Sequence, residues 1–492
     1  MKNKNTIISI LLSSLLMICV SCSDELDLSP ISSYNADSFY ATQSDFELAL
    51  NGAYDELQDL YSYSEISFCE EGRSDNVLTE TNYDAGILSR FTDDETTDAL
   101  EAIWQGFWKL IDRCNAILDQ IDNGSFDDAA YQNYYKGDAL FLRGFAYFQL
   151  GWMYGGVPLI DHQMTSDEIK VTARSSQDET LAFAATDLNS AASLLPSTWP
   201  SSSELGKATK YAAEGILARL YMFQSNFSSA KTLLSDIIIS GNYTMATDYS
   251  YCFLDAYDNS PEHVFQIQFA SGDNGEGNVL PVVCAPEYIV SNMFPQGGGS
   301  PYLHVSHDLY DSYASNDIRR DFTIQLGYTD KSGIVDNVSC FYIKYNHGTI
   351  PSTKDDYEVN LPILRYTDVK MMYAECLNEE GYSSTGDAFT VLNSVRSRAG
   401  LDAYTATDLS DQDSYRNAIF QERRWEFACE WLRWFDLIRS GNAQTVMNTF
   451  LERSENGNGT YSMQDFQKIF AIPQYELDIN GDTNYMWQNP GY

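Results

Sequence analysis

The chain has 492 residues, 44% of them hydrophobic and 14% aromatic, and its 70 acidic against 30 basic side chains give a formal charge of −40. A charge of that sign and size argues against nucleic acid or an anionic membrane surface as a direct partner, and suits solubility and uncharged ligands. The length allows a large core, in one big domain or two intimate ones.

The chain opens MKNKNTIISILLSSLLMICVSCSDE. Lys2 and Lys4 precede an apolar run over 7–20 that is too short for a comfortable membrane span and reads as an export signal. Cys22 follows the small Ser21, whereas Cys19 follows Ile18, so cleavage after residue 21 and lipidation of Cys22 are expected. Cys19 and Cys22 also spell a CxxC, but no second CxxC completes a zinc set. Without those two, seven of the nine cysteines remain, scattered and odd in number, which argues against a disulfide framework. Cys114, Cys376 and Cys429 fall at apolar helical spacing and read as small core residues.

Helical periodicity begins at 46–61. It fades over 68–90, which reads as a long loop. It returns over 98–121, where Leu100, Ile103, Trp104, Phe107, Ile111, Cys114 and Leu118 share one stripe. Asp98 and Glu101 suggest a capping-box-like start there, and Asn123-Gly124 a stop. Further helices are predicted over 131–154, ended by Gly155, Gly156 and Pro158, and over 180–195, closed by Pro196. Over 207–240, Ala218, Tyr221, Phe227, Ala230 and Leu234 show the small-and-large spacing of a tetratricopeptide helix pair, with Asn226 in the turn. The pattern repeats over 364–400, through Tyr373, Ala374, Tyr382, Ala388 and Leu392. Between the two pairs, 243–363 is rich in Gly, Tyr, Asn, Ser and Pro, with strand-like runs at 263–269 and 340–345.

The stretch 421–441, QERRWEFACEWLRWFDLIRSG, reads as one more helix, C-capped by Gly441. Phe427, Ala428, Trp431, Leu432, Phe435 and Ile438 make its apolar stripe. Its flanks are ionic, and Glu430/Arg433 and Asp436/Arg439 are spaced to meet. The arginines either pair with acids from neighbouring elements or form a ligand-binding row. The expected fold is therefore mainly α: a tetratricopeptide-like helical-pair scaffold at about 40–240 and 364–441, with an irregular loop and short-strand lobe at about 243–363.

Glu422, Arg423, Glu426, Glu430, Arg433, Asp436, Leu437, Arg439 and Gly441 match the pattern ER-x-x-E-x-x-x-E-G-x-R-x-x-D-L-x-R-x-G, with Trp431 where the pattern has Gly. FLRGFAYFQLGWMYGGVPLI at 141–160 matches a second pattern through Leu142, Arg143, Tyr147, Phe148, Tyr154, Gly155, Val157, Pro158 and Leu159, with Gly144 where Ala is usual. Ile472, Pro473, Glu476, Asn480, Gln488 and Asn489 match a tail pattern, and LDLSP from Leu26 a mature start. In this order the motifs resemble the RagB/SusD-like nutrient-binding lipoproteins over essentially the whole chain. The resemblance implies a signal peptide at 1–21 and one SusD-like domain at 22–492, tethered through Cys22 to the outer membrane of a Gram-negative bacterium and facing outward. It implies a non-catalytic binder of oligosaccharide or polysaccharide nutrients. It also implies a TonB-dependent, SusC-like transporter as partner, the tetratricopeptide-like face packing on it.

Chemistry of other kinds finds little support. His304 and His307 form an HxxH without a third ligand. Asp478, Asn480, Asp482 and Asn484 alternate like a calcium loop, but the glycine is fourth rather than sixth and Asn489 stands where a bidentate Glu belongs. No GxSxG elbow exists, and carboxylate pairs at glycosidase spacing arise by chance in so acidic a chain. No metal, cofactor or nucleic acid is expected. Sugars present apolar C–H faces to aromatic rings and hydroxyls to Asp, Asn and Arg. On that basis the first loop offers Arg73, Asp75, Asn76, Asn82 and Tyr83 as ligand contacts, and the lobe offers Phe294 and Tyr302. Each of these also has an ordinary reading as loop or core packing. The alternatives in function are a tetratricopeptide-type surface scaffold for peptide or protein ligands, and a secreted glycosidase.

Overall fold

The computed structural model describes residues 39–492 except 63, 80–82, 285–290, 292–302 and 454–457. The fold is mainly α. Eight of its helices stack in chain order: α1 (Gln43–Ser62), α2 (Asp98–Gln120), α3 (Ala129–Tyr154), α4 (Gln177–Leu194), α5 (Lys210–Phe223), α6 (Phe227–Ser240), α7 (Tyr366–Glu380) and α8 (Asp387–Arg398). Each packs on the next, α6 on α7 included, although 125 residues separate those two. A helix pair cannot bury both its faces alone, and stacking supplies the missing partner.

Local chemistry sets the helix ends. Ser176 and Glu179 form a reciprocal capping box on α4, and Asn226 accepts from Ser229 N to start α6. Gly241 ends α6 in the left-handed region at φ 71°. The predicted capping of α2 by its own Asp98 and Glu101 is not what occurs. Its Ala99 N–H donates 2.8 Å to Asp84, so the cap comes from the preceding segment. The stripe of α2 is buried as the spacing requires.

The lobe is inserted between α6 and α7. Its described residues form two antiparallel pairs: β1 (His263–Ile267) with β4 (Leu361–Arg365), and β2 (Ile324–Thr329) with β3 (Val335–Tyr342). His263 lies opposite Arg365 and Ile267 opposite Leu361, so the lobe closes where it opened, and β4 runs straight into α7.

Two further expectations fail. The 68–90 stretch is not an open loop. Its backbone forms a wide turn at Phe68–Gly72 and a short helix at Asp84–Ser89, and most of its described residues are buried. The single helix expected at 421–441 is broken into α9 (Gln412–Glu426) and α10 (Arg433–Arg439). Between them Cys429 and Trp431 both adopt positive φ, 62° and 57°. A left-handed backbone costs an ordinary L-residue about 1–2 kcal/mol, which explains why the family pattern carries Gly at the place of Trp431. The indole gives something in return. It stacks on Tyr345 at 5.9 Å, and its N–H donates 2.8 Å to Ser67 Oγ.

Candidate functional site

The break between α9 and α10 fans the ionic side chains of the signature toward distant segments. Glu426 has Arg319 Nη1 at 3.2 Å, Arg365 Nη2 at 3.0 Å and Arg398 against the same carboxylate. Burial pushes this carboxyl up, but the three guanidinium groups outweigh it and hold it at about 2. Glu430 receives Arg365 at 2.7 Å and Lys344 at 2.5 Å, and Arg365 also reaches Glu262 at 2.9 Å. Arg423 joins Asp368 to Asp436, and Arg439 joins Asp436 to Glu375. The arginine row is thus consumed by neighbouring acids, and the ligand-binding reading of it is overturned. These pairs rivet the lobe, through Glu262, Arg319, Lys344 and Arg365, to the helices.

Asp75 takes a bidentate pair from Arg433, at 2.7 and 2.9 Å, with Arg424 at 3.1 Å. Burial raises its carboxyl; Arg424 and Arg433 outweigh that and hold it at about 2. Asn76 accepts from Arg424 Nε at 2.8 Å and donates to Glu71 at 2.9 Å. Arg73 lies between the rings of Phe91 and Phe470, at 4.6 and 4.7 Å, paired with Asp93 and donating to Gln467 O. All three are fully interior. Their expected role as ligand contacts therefore falls, because side chains enclosed in the interior among buried partners do not reach a sugar.

The same anchors position the neighbouring backbone. Val77 bridges Val305 in antiparallel fashion, and Leu78 N–H donates 3.0 Å to His304 O. Ser306 N–H donates 2.8 Å to Asn76 O, and its hydroxyl donates 2.9 Å to Asp75 O. The first loop and the lobe, some 230 residues apart, thus meet as a short two-stranded ribbon. Tyr83, at the start of the Asp84–Ser89 helix, is 68% exposed. Arg90, at the other end of that helix, stacks on Tyr461 at 5.4 Å. Asp308 joins Arg424 at 2.9 Å to the more exposed Arg453. Asn82, Phe294, Tyr302 and the lipidation residue Cys22 lie outside the described residues. Asp308, Arg90 and Tyr461 were missed from sequence, since only folding brings their segments to this place.

Seven cysteines, Cys114, Cys376 and Cys429 among them, are buried free thiols. Among the described residues no group of three or more His, Cys, Asp or Glu is placed to hold a metal ion, and no helix is long and apolar enough to cross a membrane.

Comparison with known proteins adds an independent line. The family described as "SusD family" matches residues 319–492, and the one described as "Starch-binding associating with outer membrane" matches residues 25–222. SusD-like protein P25 of Formosa agariphila is 25% identical, over 98% of this chain and 97% of its own. A SusD-like protein of Bacteroides ovatus is 26% identical, over 86% and 80%. Among solved structures, surface glycan-binding protein A from Bacteroides fluxus superposes with a TM-score of 0.78 at 25% identity, covering 92% of this chain and all of that one. The protein of the same title from Bacteroides thetaiotaomicron, in complex with laminarihexaose, superposes with a TM-score of 0.75 at 23% identity, covering 91% of this chain and 100% of that one.

Proposed function

The chain belongs to the SusD/RagB family, and from that premise we propose that it captures oligosaccharide or polysaccharide nutrients at the outer membrane and delivers them to a TonB-dependent, SusC-like transporter. It does so without bond-breaking. Residues 1–21 are the export signal, Cys22 carries the lipid, and 22–492 form the nutrient-binding domain, outside the cell. The observation that carries this reading is the buried junction that ties the first loop to the lobe, with Tyr83 of the same loop 68% exposed. Segments 75–78 and 304–306 meet there beside the buried ion pairs of Asp75 and the hydrogen bonds of Asn76. An exposed ring on a fixed frame suits the apolar face of a sugar, because little order remains to be imposed on binding. The relative bound to laminarihexaose supports glycan as the ligand class, and the description "associating with outer membrane" supports the location.

Calorimetry against a panel of soluble oligosaccharides tests the reading. Tyr83→Ala is expected to weaken the best ligand at least tenfold while leaving stability within about 0.5 kcal/mol, as for other exposed positions. Asp75→Asn is expected to lower stability instead. Binding to peptides and to no saccharide would overturn the glycan assignment. Loss of palmitate labelling in Cys22→Ala checks the anchor.

A further inference from the structure

The outer edge of α2, the 158–164 segment and the C-terminal tail wall a separate cleft of about 460 Å³. That volume lies within the range of small-molecule sites. Neither Tyr83 nor any residue of the junction between the first loop and the lobe lines it. Its aromatic wall is Trp108, partly buried and held on two sides: by Trp104 at 5.8 Å and, edge-on, by Tyr147 at 5.9 Å. Ile160, Met164 and Met486 extend the apolar part. The rim is polar, with Gln105, Lys109, Asp112 and His162, and all but Gln105 are exposed.

The two indole N–H groups differ. Trp104 donates to the carboxylate of Glu476, whereas the N–H of Trp108 is shut away from solvent with no acceptor. A buried unmet donor costs about 1–3 kcal/mol, and it is the ring of Trp108 rather than its N–H that the cleft offers to a ligand.

A fixed ring, an apolar wall and hydrogen-bonding groups around the mouth together select for a molecule that is apolar on its face and hydroxylated at its edge. A purely aliphatic guest would strip water from Lys109 and Asp112 and return nothing. An anionic guest would meet Asp112 and Glu476 with only Lys109 to offset them. We propose that this cleft is a second carbohydrate subsite, taking a short neutral saccharide with one ring face on Trp108 and hydroxyls on Gln105, Lys109 and Asp112. The inference rests on the reading of the chain as a glycan binder, and it adds a second point of attachment along a polymer.

The test uses the full chain labelled with 5-fluorotryptophan, the Trp108 resonance being assigned by Trp108→Phe. Laminarihexaose, maltohexaose and a wider panel of neutral oligosaccharides are titrated and followed by fluorine NMR and calorimetry. At least one saccharide is expected to shift the Trp108 resonance, in Tyr83→Ala as well as in the native chain. Asp112→Ala, a rim change with no packing to lose, is expected to weaken that shift at least fivefold in Kd. A saccharide that binds by calorimetry and depends on Tyr83 while the Trp108 resonance stays still overturns the subsite and leaves the main reading standing. A panel that binds nowhere overturns both. A resonance that moves only on adding the purified transporter assigns the cleft to a protein contact and overturns the subsite.

Discussion

In α3 every residue from Gly137 to Tyr154 is buried, and only Asp138, Arg143 and Gln149 among them bear charged or amide side chains. In the α9–α10 segment the buried residues include Glu422, Arg423, Arg424, Glu426, Glu430, Arg433 and Asp436. The first region is held by close packing, which is spread over many small contacts and has no preferred partner. The second is held by charges that each need a particular partner at a particular place. Packing suits a stack of helices whose neighbours are set by chain order. The ionic lattice suits the harder task of fixing an inserted lobe and a remote loop in one register.

The largest effect comes from removing one charge at the lattice centre. Glu426→Gln leaves Arg319, Arg365 and Arg398 buried around a neutral amide. Breaking a buried pair costs about 3–5 kcal/mol, so denaturant unfolding is expected to show a loss of about 4 kcal/mol. A loss under about 1 kcal/mol would mean that the lattice is as replaceable as packing, and the contrast between the regions would collapse.

The turn between α9 and α10 gives a smaller and more selective effect. Trp431→Gly releases about 1–2 kcal/mol of left-handed strain but gives up a large ring that is only 4% exposed, whose loss costs about 3–5 kcal/mol. A net loss of about 2–3 kcal/mol is expected. Cys429→Gly releases similar strain and removes one small side chain, so it should come out within about 1 kcal/mol of the native chain. Equal losses in thermal or denaturant unfolding would show that the backbone, not the indole, decides at this turn.

That turn also marks where sequence stopped being legible. The helices of the stack were read to within a few residues, because an apolar stripe with period 3.6 reports its own geometry. The stripe from Phe427 to Ile438 had the same period and misled, since the favoured helix gave way to tertiary pairing and two left-handed residues inside the run. Arg423 and Arg433 were recognisable as ionic, and their pairing with acids was one of two readings. Their partners Asp368 and Asp75 were not, because local spacing names only neighbours three or four residues away. Asp75 and Asn76 looked like surface ligand groups for the same reason, whereas Tyr83, from the same loop, is exposed.

Acid and base separate the two regions by sign. Asp75, Asp368 and Glu426 are held at about 2 by their arginines. Their folded values lie below the unfolded ones, so the stability they contribute is present above about pH 4 and is lost as pH falls toward 2. The shift of Asp75 corresponds to about 2 kcal/mol. In the helical stack, and in the Phe68–Gly72 turn that meets it at Gln149, burial dominates instead. It lifts Glu70 to about 8, with Gln149 and Arg219 only partly opposing, and Asp138 to about 7, against Lys207 and Tyr54. These folded values lie above the unfolded ones, so stability is greatest below about pH 4 and declines as pH rises to 7 or 8. Glu70→Gln is therefore expected to flatten the decline between pH 5 and 8, by on the order of 2 kcal/mol at pH 8, and to leave the acid limb untouched. A change in the acid limb alone would join Glu70 to the lattice rather than to the groups buried against the stack.

The smallest effect probes the packing itself. Gly144 lies where α3 crosses α4, at a position where the family pattern has Ala. A Cβ there would stand 2.9 Å from Leu188 Cγ, 3.1 Å from the carbonyl oxygen of Ala184 and 3.1 Å from Asp187 Cβ. Alanine favours a helix interior over glycine by about 1 kcal/mol, while overpacking a tight crossing costs about 1–3 kcal/mol. Two of the three neighbours are backbone or Cβ atoms and cannot swing away, and Asp187 is further held by Arg143 at 2.7 Å. Gly144→Ala is thus expected to lose about 1 kcal/mol, read as a lower unfolding midpoint. A gain would show that α3 and α4 can separate slightly without penalty, making the stack the more forgiving of the two regions by more than its lack of charges alone accounts for.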